Sequence, residues 1–168
     1  MAHLVLTVVG DDRAGLVRTL ADTVAAHGGN WERSELAELA GAFAGIVLVS
    51  VPDDRVDALQ ADLEGLAGLL RVTTHAGGEP SAAATGHVGF TVLGNDRPGI
   101  VRDVTATLAG LGASIDSFAS RTREAPMAGG TLFEATVDVR VPAEVDAAAI
   151  TTALEKLAGE IQVDIALG

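Results

Sequence analysis

Residues 94–102 read Gly94-Asn95-Asp96-Arg97-Pro98-Gly99-Ile100-Val101-Arg102, and the same pattern occurs once before in the chain. The earlier copy lies 84 positions upstream and is identical at six of its nine positions: Gly10-Asp11-Asp12-Arg13-Ala14-Gly15-Leu16-Val17-Arg18. Each copy follows a short run rich in β-branched residues and precedes an amphipathic helix pattern. The duplication predicts two similar halves.

The duplicated turn has two interpretations that the residues alone leave open. A glycine-bearing turn between a strand and a helix N-terminus exposes backbone N–H groups that no helical carbonyl satisfies. Such groups can bind a small carboxylate or phosphate. Alternatively, Asp12 and Asp96 cap the two helices, and the glycines relieve a tight turn.

Composition narrows the class of protein. A chain of 168 residues forms one ordinary domain or two small ones. With 11 Lys and Arg against 23 Asp and Glu, the formal net charge is −12, so the chain lacks the basic face that unaided DNA binding requires. The absence of cysteine excludes disulfides, thiolate metal sites and cysteine nucleophiles.

No segment predicts export or membrane insertion. The N-terminus has no Lys/Arg-rich segment, and its apolar run ends at Asp11. The uncharged, apolar stretch at residues 39–52 is too short and too interrupted by glycine to span a bilayer. We therefore expect a soluble cytoplasmic protein with no membrane partner.

The first half is predicted to fold as β-α-β-β-α-β. Residues 30–40 favour a helix by propensity, but we predict a strand because the equivalent residues 114–123 are richer in β-formers. The other strands are predicted at residues 3–9, 43–51 and 69–74. Asp53 is predicted to cap the second helix. The apolar helix faces are Leu16, Val17, Leu20 and Val24 in the first helix, and Val56, Leu59, Leu63 and Leu66 in the second.

The same order repeats after a Gly/Pro-marked linker at residues 76–86, so we expect domains at 1–75 and 87–168. Strands are predicted at residues 88–93, 114–123, 131–141 and 161–167, and a last helix at 144–158. Apolar and polar residues alternate along 131–141, which predicts one buried and one exposed face of that strand. The helix after Pro98 has its apolar face at Ile100, Val101, Val104, Leu108 and Leu111. Val51 and Val141 are 90 positions apart instead of 84, which predicts about six extra residues in a long, mobile hairpin loop at 122–130.

Each half therefore reads as a split βαβ unit. The predicted fold class is α+β, with two tandem ferredoxin-like βαββαβ units, each a four-stranded antiparallel sheet with two helices on one face. Open sheet edges tend to be covered or paired, so we expect a homodimer. A joint between two units would set the turn of one unit against a strand of its neighbour and form a ligand crevice.

The two turn sequences, each between a first strand and a first helix, resemble the signature of ACT domains: Asp12-Arg13-Ala14-Gly15-Leu16-Val17 and Asp96-Arg97-Pro98-Gly99-Ile100-Val101. The resemblance covers nearly the whole chain as two units in tandem. ACT domains are small regulatory modules of the ferredoxin-like fold that typically bind amino acids at interfaces between domains. The resemblance thus implies a small amino acid ligand, such as glycine or serine, and no cofactor.

A longer match narrows the resemblance to the glycine cleavage system transcriptional repressor group. The matching residues are His27-Gly28-Gly29-Asn30-Trp31, Ser34, Leu36, Leu39-Ala40-Gly41 and Phe43-Ala44-Gly45-Ile46-Val47. That group comprises stand-alone tandem ACT proteins without a helix-turn-helix. The resemblance implies control of amino-acid metabolism through a protein partner, with a transcription factor as one candidate, and no direct contact with nucleic acid.

The resemblance also places ligand-binding residues at the turn and at the start of the second strand. It implies that N–H groups near Gly15 or Gly99 take the α-carboxylate, while Asp12 or Asp96 pairs with the α-ammonium. The implied residues are Asp12, Arg13, Gly15 and Asn30 in the first half, and Asn95, Asp96, Arg97, Gly99 and Ser114 in the second. Ala14 stands where the family has proline and Ser114 where it has an Asn-like residue, so which half binds stays open.

Other kinds of site are not predicted. The glycine spacing of a P-loop begins at Gly10 and Gly94, but the Lys-Ser/Thr that must follow is absent. The four histidines are scattered and predict no metal site. Arg13 and Arg97 are expected to hold their turns by local hydrogen bonds instead of catalysing a reaction. We expect no catalytic residues and no enzyme, which leaves an amino-acid-responsive regulator or a constitutive interaction module without ligand response.

Overall fold

The computed structural model describes residues 1–78, 86–125, 129–157 and 161–166, with the backbone alone at 163–166. The chain divides into two compact units, Met1–Pro80 and Ser81–Gly168. Each unit has the element order β-α-β-β-α-β and a four-stranded antiparallel sheet. These observations confirm the predicted α+β class and the duplication.

The first unit is built around a central strand. Its elements are β1 (Ala2–Asp11), α1 (Leu16–Ala26), β2 (Asn30–Leu39), β3 (Ala42–Val51), a 3-10 turn (Asp53–Arg55), α2 (Val56–Glu64) and β4 (Arg71–Ala76). The sheet order is β2-β3-β1-β4, and all neighbours are antiparallel. Strand β1 therefore has a partner on both sides.

The core of the first unit lies between one face of this sheet and its two helices. Alternate residues of β1 are buried, and the paired residues of β3 share their face, as in the pair Leu6 and Val47. The helices contribute residues four positions apart, which lie on one side of a helix. The buried helix residues are Leu16, Leu20, Val24, Leu59 and Leu63.

The second unit repeats this plan. Its elements are β5 (Gly86–Asn95), α3 (Ile100–Gly110), β6 (Ser114–Glu124), β7 (Thr131–Val141), α4 (Ala147–Glu155) and β8 (Gln162–Ala166). The sheet order β6-β7-β5-β8 again places the first strand of the unit in the centre. The predicted alternation along β7 is confirmed, because its buried residues are Phe133, Ala135, Val137, Val139 and Val141.

The two hairpins account for the difference in length between the units. In the first unit, Ala40 and Gly41 connect the paired residues Leu39 and Ala42. In the second unit, strand pairing continues one pair further, to Glu124 and Thr131, and the connection spans residues 125–130. Two of the six extra residues thus extend the strands and four lie in the connection, so the predicted loop at 122–130 is too long by residues 122–124, which belong to strand β6. Residues 126–128 of that loop, and 79–85 of the predicted linker, lie outside the described residues.

Several details differ from the sequence-based expectations. Val17 and Val101 were placed on apolar helix faces but are 43% and 41% exposed. The buried residues of α1 recur every four positions from Leu16, and Val17 lies at the edge of the face they form, about 100° around the helix from Leu16. Asp53 caps no helix, because its carboxylate accepts a hydrogen bond at 2.8 Å from the amino group of Met1, which also lowers the pKa of Asp53.

Other differences concern the ends of elements. Strand β4 was predicted at residues 69–74 but is shifted two residues towards the C-terminus. Helix α4 begins later than the predicted residue 144, because Asp146 provides the cap: its carboxylate accepts a hydrogen bond from the Ala149 N–H at 2.8 Å. Of the ambiguous residues 30–40, all but Ala40 form strand β2, as comparison with the second half predicted.

The outer faces of the two sheets, opposite the helices, differ in chemistry. The first sheet exposes apolar side chains there, among them Val9, Leu39 and Ile46. The second sheet has charged side chains on this face: Arg123 stands at the position of Leu39, and Arg121 and Arg123 both pair with Glu134, at 3.1 and 3.2 Å. The guanidinium of Arg121, followed by that of Arg123, lowers the pKa of Glu134.

The contrast between Leu20 and Val17 in helix α1 is testable. Leu20 is buried, so Leu20→Ala should lower the free energy of unfolding of the first unit by about 2–5 kcal/mol. Val17→Ala removes exposed methyl groups and should cost no more than about 0.5 kcal/mol. Trp31 is the one tryptophan and packs against the first core, so its fluorescence during urea unfolding reports this unit. Equal losses in both variants would contradict the observed helix orientation.

Candidate functional site

The turn of the first unit is fixed at the end of β1 by its backbone. The Asp12 N–H donates a hydrogen bond to the Gly41 carbonyl at 2.9 Å, which ties the turn to the neighbouring hairpin. Gly15 occupies the N-cap position of α1 with a φ of 92°. Residues 11–15 are all exposed. The turn is therefore both anchored and open to solvent.

This helix start leaves backbone donors without helical partners. The first hydrogen bond of the α1 ladder runs from the Thr19 N–H to the Gly15 carbonyl at 2.9 Å. The N–H groups of Val17 and Arg18 precede it and have no backbone acceptor within the part of the chain that the structure describes. Together with the positive end of the helix dipole, such donors favour an anion.

The turn of the second unit has the same backbone design. The Asp96 N–H donates to the Thr131 carbonyl at 2.8 Å, and Gly99, with a φ of 86°, is the N-cap residue of α3. Neither Asp12 nor Asp96 caps its helix, because no side chain makes a cap hydrogen bond at either helix start. The capping interpretation of the two aspartates is therefore wrong. The glycines themselves take the N-cap position.

The side chains around the two turns differ. In the second unit, the Asp103 carboxylate accepts hydrogen bonds from Arg97 Nη1 at 2.8 Å and from Arg102 Nη2 at 3.0 Å. These two guanidinium groups, Arg97 first, hold the pKa of Asp103 below its ordinary value. The expected local hydrogen bond of Arg97 is thus observed. In the first unit Thr19 stands at the position of Asp103, and Arg13 makes no side-chain hydrogen bond or ion pair to any described residue. The local hydrogen bond expected of Arg13 is therefore not observed.

The predicted residues Asn30 and Ser114 lie at the far end of each sheet from the turn. Asn30 pairs with Ser50, and Ser50 pairs with His3 near the beginning of β1. The turn follows Asp11, eight residues further along β1, which corresponds to about 25 Å. In the second unit Ser114 pairs with Arg140, again at the beginning of the central strand.

The structure therefore brings together two separate groups of predicted residues within each unit. The turns hold Asp12, Arg13 and Gly15 in the first unit, and Asn95, Asp96, Arg97 and Gly99 in the second. The strand starts hold Asn30 and Ser114. An amino acid is only a few ångströms long, so it cannot contact the turn and the strand start of the same unit.

Side chains that sequence reasoning missed surround the strand starts. Both second strands have a bulge after their second residue, and the bulged acid approaches a histidine of the central strand: Glu32 lies 3.5 Å from His3, and Asp116 lies 3.6 Å from His87. Arg140 donates hydrogen bonds to Asp116 at 2.6 Å and to Ser114 at 3.4 Å. The sequence does contain a signal for these residues, because the 84-residue offset between the two turns also relates His3 to His87 and Glu32 to Asp116.

Comparison with known proteins identifies the two units. Two family models, both described as ACT domain, match residues 2–77 and 90–159. The chain is a tandem ACT-domain protein. Together the two matches cover most of its length, and each contains one helix that starts at a positive-φ glycine.

Individual relatives extend this similarity over the whole chain. The glycine cleavage system transcriptional repressor of Escherichia coli (strain K12) is 29% identical over 163 residues, which cover 95% of this chain and 85% of the relative. The crystal structure of an unknown protein from Galdieria sulphuraria has a TM-score of 0.86 at 32% identity and covers 98% of this chain and 96% of its own. A crystal structure attributed to a glycine cleavage system transcriptional repressor has a TM-score of 0.70 at 20% identity, over 98% and 96% of the two chains.

The described residues of this tandem ACT-domain protein contain no group of three or more His, Cys, Asp or Glu side chains that could hold a metal ion. Among these residues, no helix is both long enough and apolar enough to cross a bilayer. The polar groups at the two turns are backbone donors, carboxylates and guanidinium groups, which suit a small zwitterion.

The low pKa of Asp103 predicts how acid affects the second unit. The folded state favours the ionised carboxylate, so its contribution to stability is complete above the ordinary pKa of 3.8 and disappears as the pH falls through the lower folded value. Arg97→Gln should raise the pKa of Asp103 towards 3.8, as followed by NMR of its side-chain carboxyl carbon. Arg13→Gln is the matched control and should leave this titration unchanged. An unchanged pKa in Arg97→Gln would contradict the observed ion pair.

Because the φ of Gly15 is positive, we expect any residue with a side chain at this position to strain the backbone and destabilise the first unit. A Cβ at Gly15 would meet no atom within 4 Å, so Gly15→Ala should destabilise the first unit by strain alone, about 1–2 kcal/mol. Gly15→Asn should cost less, because asparagine tolerates the left-handed region better. Urea unfolding followed by Trp31 fluorescence measures both. Equal stability of the alanine variant and the wild type would show that the turn can relax.

Proposed function

We propose that this tandem ACT-domain protein is a non-enzymatic regulator that binds a small amino acid, such as glycine or serine, and controls amino-acid metabolism through a protein partner. The observation that carries the proposal is the exposed, duplicated turn with its unpaired helix N–H groups. Membership in the ACT family and the similarity to a glycine cleavage system transcriptional repressor support a regulatory, amino-acid-sensing role.

The chemistry of the turn matches the two charged ends of an amino acid. The α-carboxylate would accept hydrogen bonds from the first N–H groups of the helix, next to the positive end of the helix dipole. In the first unit, the exposed carboxylate of Asp12 would pair with the α-ammonium, and the nearby guanidinium of Arg13 would add a second donor to the carboxylate. A ligand with a small side chain needs no deep pocket beside these groups.

The separation of turn and strand start supports a ligand site that two copies of the chain complete together. Within the first unit, Gly15 and Asn30 lie at opposite ends of the sheet, so one small ligand that uses both positions would take them from two copies of the chain. A homodimer would supply such an interface, and a ligand held there would favour the assembled state. We therefore propose that the ligand acts by stabilising the homodimer.

The proposed output is contact with a protein partner. The formal net charge of −12 disfavours direct contact with nucleic acid phosphates. By its similarity to the E. coli repressor, we propose that the protein acts on a regulator of glycine cleavage, with a transcription factor as the candidate partner. An acidic surface would favour a partner with a basic one.

A thermal-shift panel with all common amino acids, at fixed protein concentration, tests ligand binding. A ligand present at about 100 times its dissociation constant stabilises the folded state by roughly 2.7 kcal/mol. For a chain of this size, that should raise the Tm by about 5–10 °C for glycine, serine or a similarly small amino acid. Large amino acids at the same concentration are the internal controls and should give no shift.

A flat panel would contradict the proposed ligand response and favour a constitutive interaction module. A pull-down of the partner with and without the amino acid separates the two functions, since a constitutive module should retain its partner equally in both conditions. Gly15→Asn combined with Gly99→Asn should reduce any shift, because the added side chains cover the helix N–H groups.

A further inference from the structure

The two turns differ in whether their own side chains satisfy their charged groups. In the second unit the Asp103 carboxylate takes hydrogen bonds from both Arg97 and Arg102. We call these three residues the latch. Its ion pairs span 2.8 and 3.0 Å, and 24% of the Asp103 side chain is exposed. The guanidinium of Arg97 is therefore already paired with a carboxylate.

The first unit has the same two arginines without the latch. Arg13 is equivalent to Arg97, but Thr19 replaces the acid, and Arg13 forms no side-chain bond to a described residue. Arg18, equivalent to Arg102, is directed along the helix to Asp22 at 3.5 Å. The second unit has Ala106 at the position of Asp22. Each unit thus has one acid near this helix start, Asp22 in the first and Asp103 in the second. Because the two acids stand at different positions, they direct Arg18 and Arg102 differently.

The space over the two glycines differs accordingly. A Cβ built at Gly15 would meet no atom within 4 Å, so the space in front of this helix start is open. A Cβ built at Gly99 would lie 3.2 Å from Arg102 Nη2. The guanidinium of Arg102, held by Asp103, therefore lies beside the turn glycine of the second unit.

The strand starts show the same difference. Ser114 accepts a hydrogen bond from Arg140, and Arg140 also pairs with Asp116. In the first unit a serine, Ser50, stands at the position of Arg140, and the side chain of Asn30 makes no hydrogen bond to any described residue. In the second unit, the polar side chains at both the turn and the strand start are thus paired with other side chains. In the first unit, the side chains of Arg13 and Asn30 bond to no described residue.

We infer that Asp103 decides which unit takes the amino acid: its carboxylate occupies the arginines of the second turn as a ligand carboxylate would, so the ligand binds at the turn of the first unit. The inference rests on the proposed function, since it assigns the ligand to one of the two turns. A ligand carboxylate at the second turn would have to displace Asp103 or lie beside it, and two adjacent carboxylates repel each other. At the first turn it would meet Arg13 and free N–H groups.

Reciprocal substitutions test the role of Asp103. Thr19→Asp introduces the acid into the first unit, and Asp103→Thr removes it from the second, so each variant copies the other unit. Isothermal titration calorimetry of the full chain with glycine and with L-serine should give one site per chain in the wild type. Thr19→Asp should lower the affinity at least tenfold, and Asp103→Thr should raise the stoichiometry to two. Thr19→Asn, which adds similar bulk without charge, is the matched control and should retain the single site.

The outcomes separate the inference from the proposed function. Two sites per chain in the wild type, or a single site that survives Thr19→Asp, would overturn the inference while leaving ligand binding in place. No heat of binding for either amino acid, in the wild type and in Asp103→Thr, would overturn the proposed function as well. Trp31 fluorescence and circular dichroism confirm that Thr19→Asp is folded, so that a lost site reports the added charge.

Discussion

The left-handed backbone at Gly15 and Gly99 is the constraint on which the other features of each unit depend. The strand before each glycine has neighbours on both sides, so the chain can leave the sheet only at the strand's end. It must then reverse at once to lay a helix over the sheet. A φ near 90° makes this reversal possible within four residues, and glycine adopts it without a steric penalty. The same reversal directs the first helix N–H groups towards solvent.

Most of the fold follows from patterns that the sequence displays. The duplicated turn, the alternation along β7 and the helix periodicities predicted the order of elements, and comparing the halves resolved β2 against its helix-favouring composition. The helix caps were harder to predict, because an aspartate three residues before a glycine reads as a cap. The glycine takes the cap position itself, so the carboxylates of Asp12 and Asp96 remain outside the helix start.

Less of the candidate site could be predicted, and the reason is geometric. Residues adjacent in sequence, such as Asp12 and Arg13, share a turn whatever the tertiary structure. Asn30 follows the turn by only fifteen positions, yet the helix carries the chain to the other end of the sheet. The contact between Arg97 and Asp103 joins a turn residue to a helix residue six positions on, a spacing that neither helix nor strand periodicity reveals. Only the structure shows that the arginines of the two turns are paired differently.

The contrast between the outer sheet faces has a consequence for folding. Tandem units of like topology can exchange strands while they fold, a common failure of repeat proteins. If β7 replaced β3 beside β1, Glu134 and Asp138 would stand opposite Val9 and Val5, where the first unit has Ala44 and Leu48. Such a hybrid sheet would lose apolar cross-strand contacts and separate Glu134 from Arg121 and Arg123. Divergence of the outer faces would therefore disfavour the exchange of strands between two units of like topology.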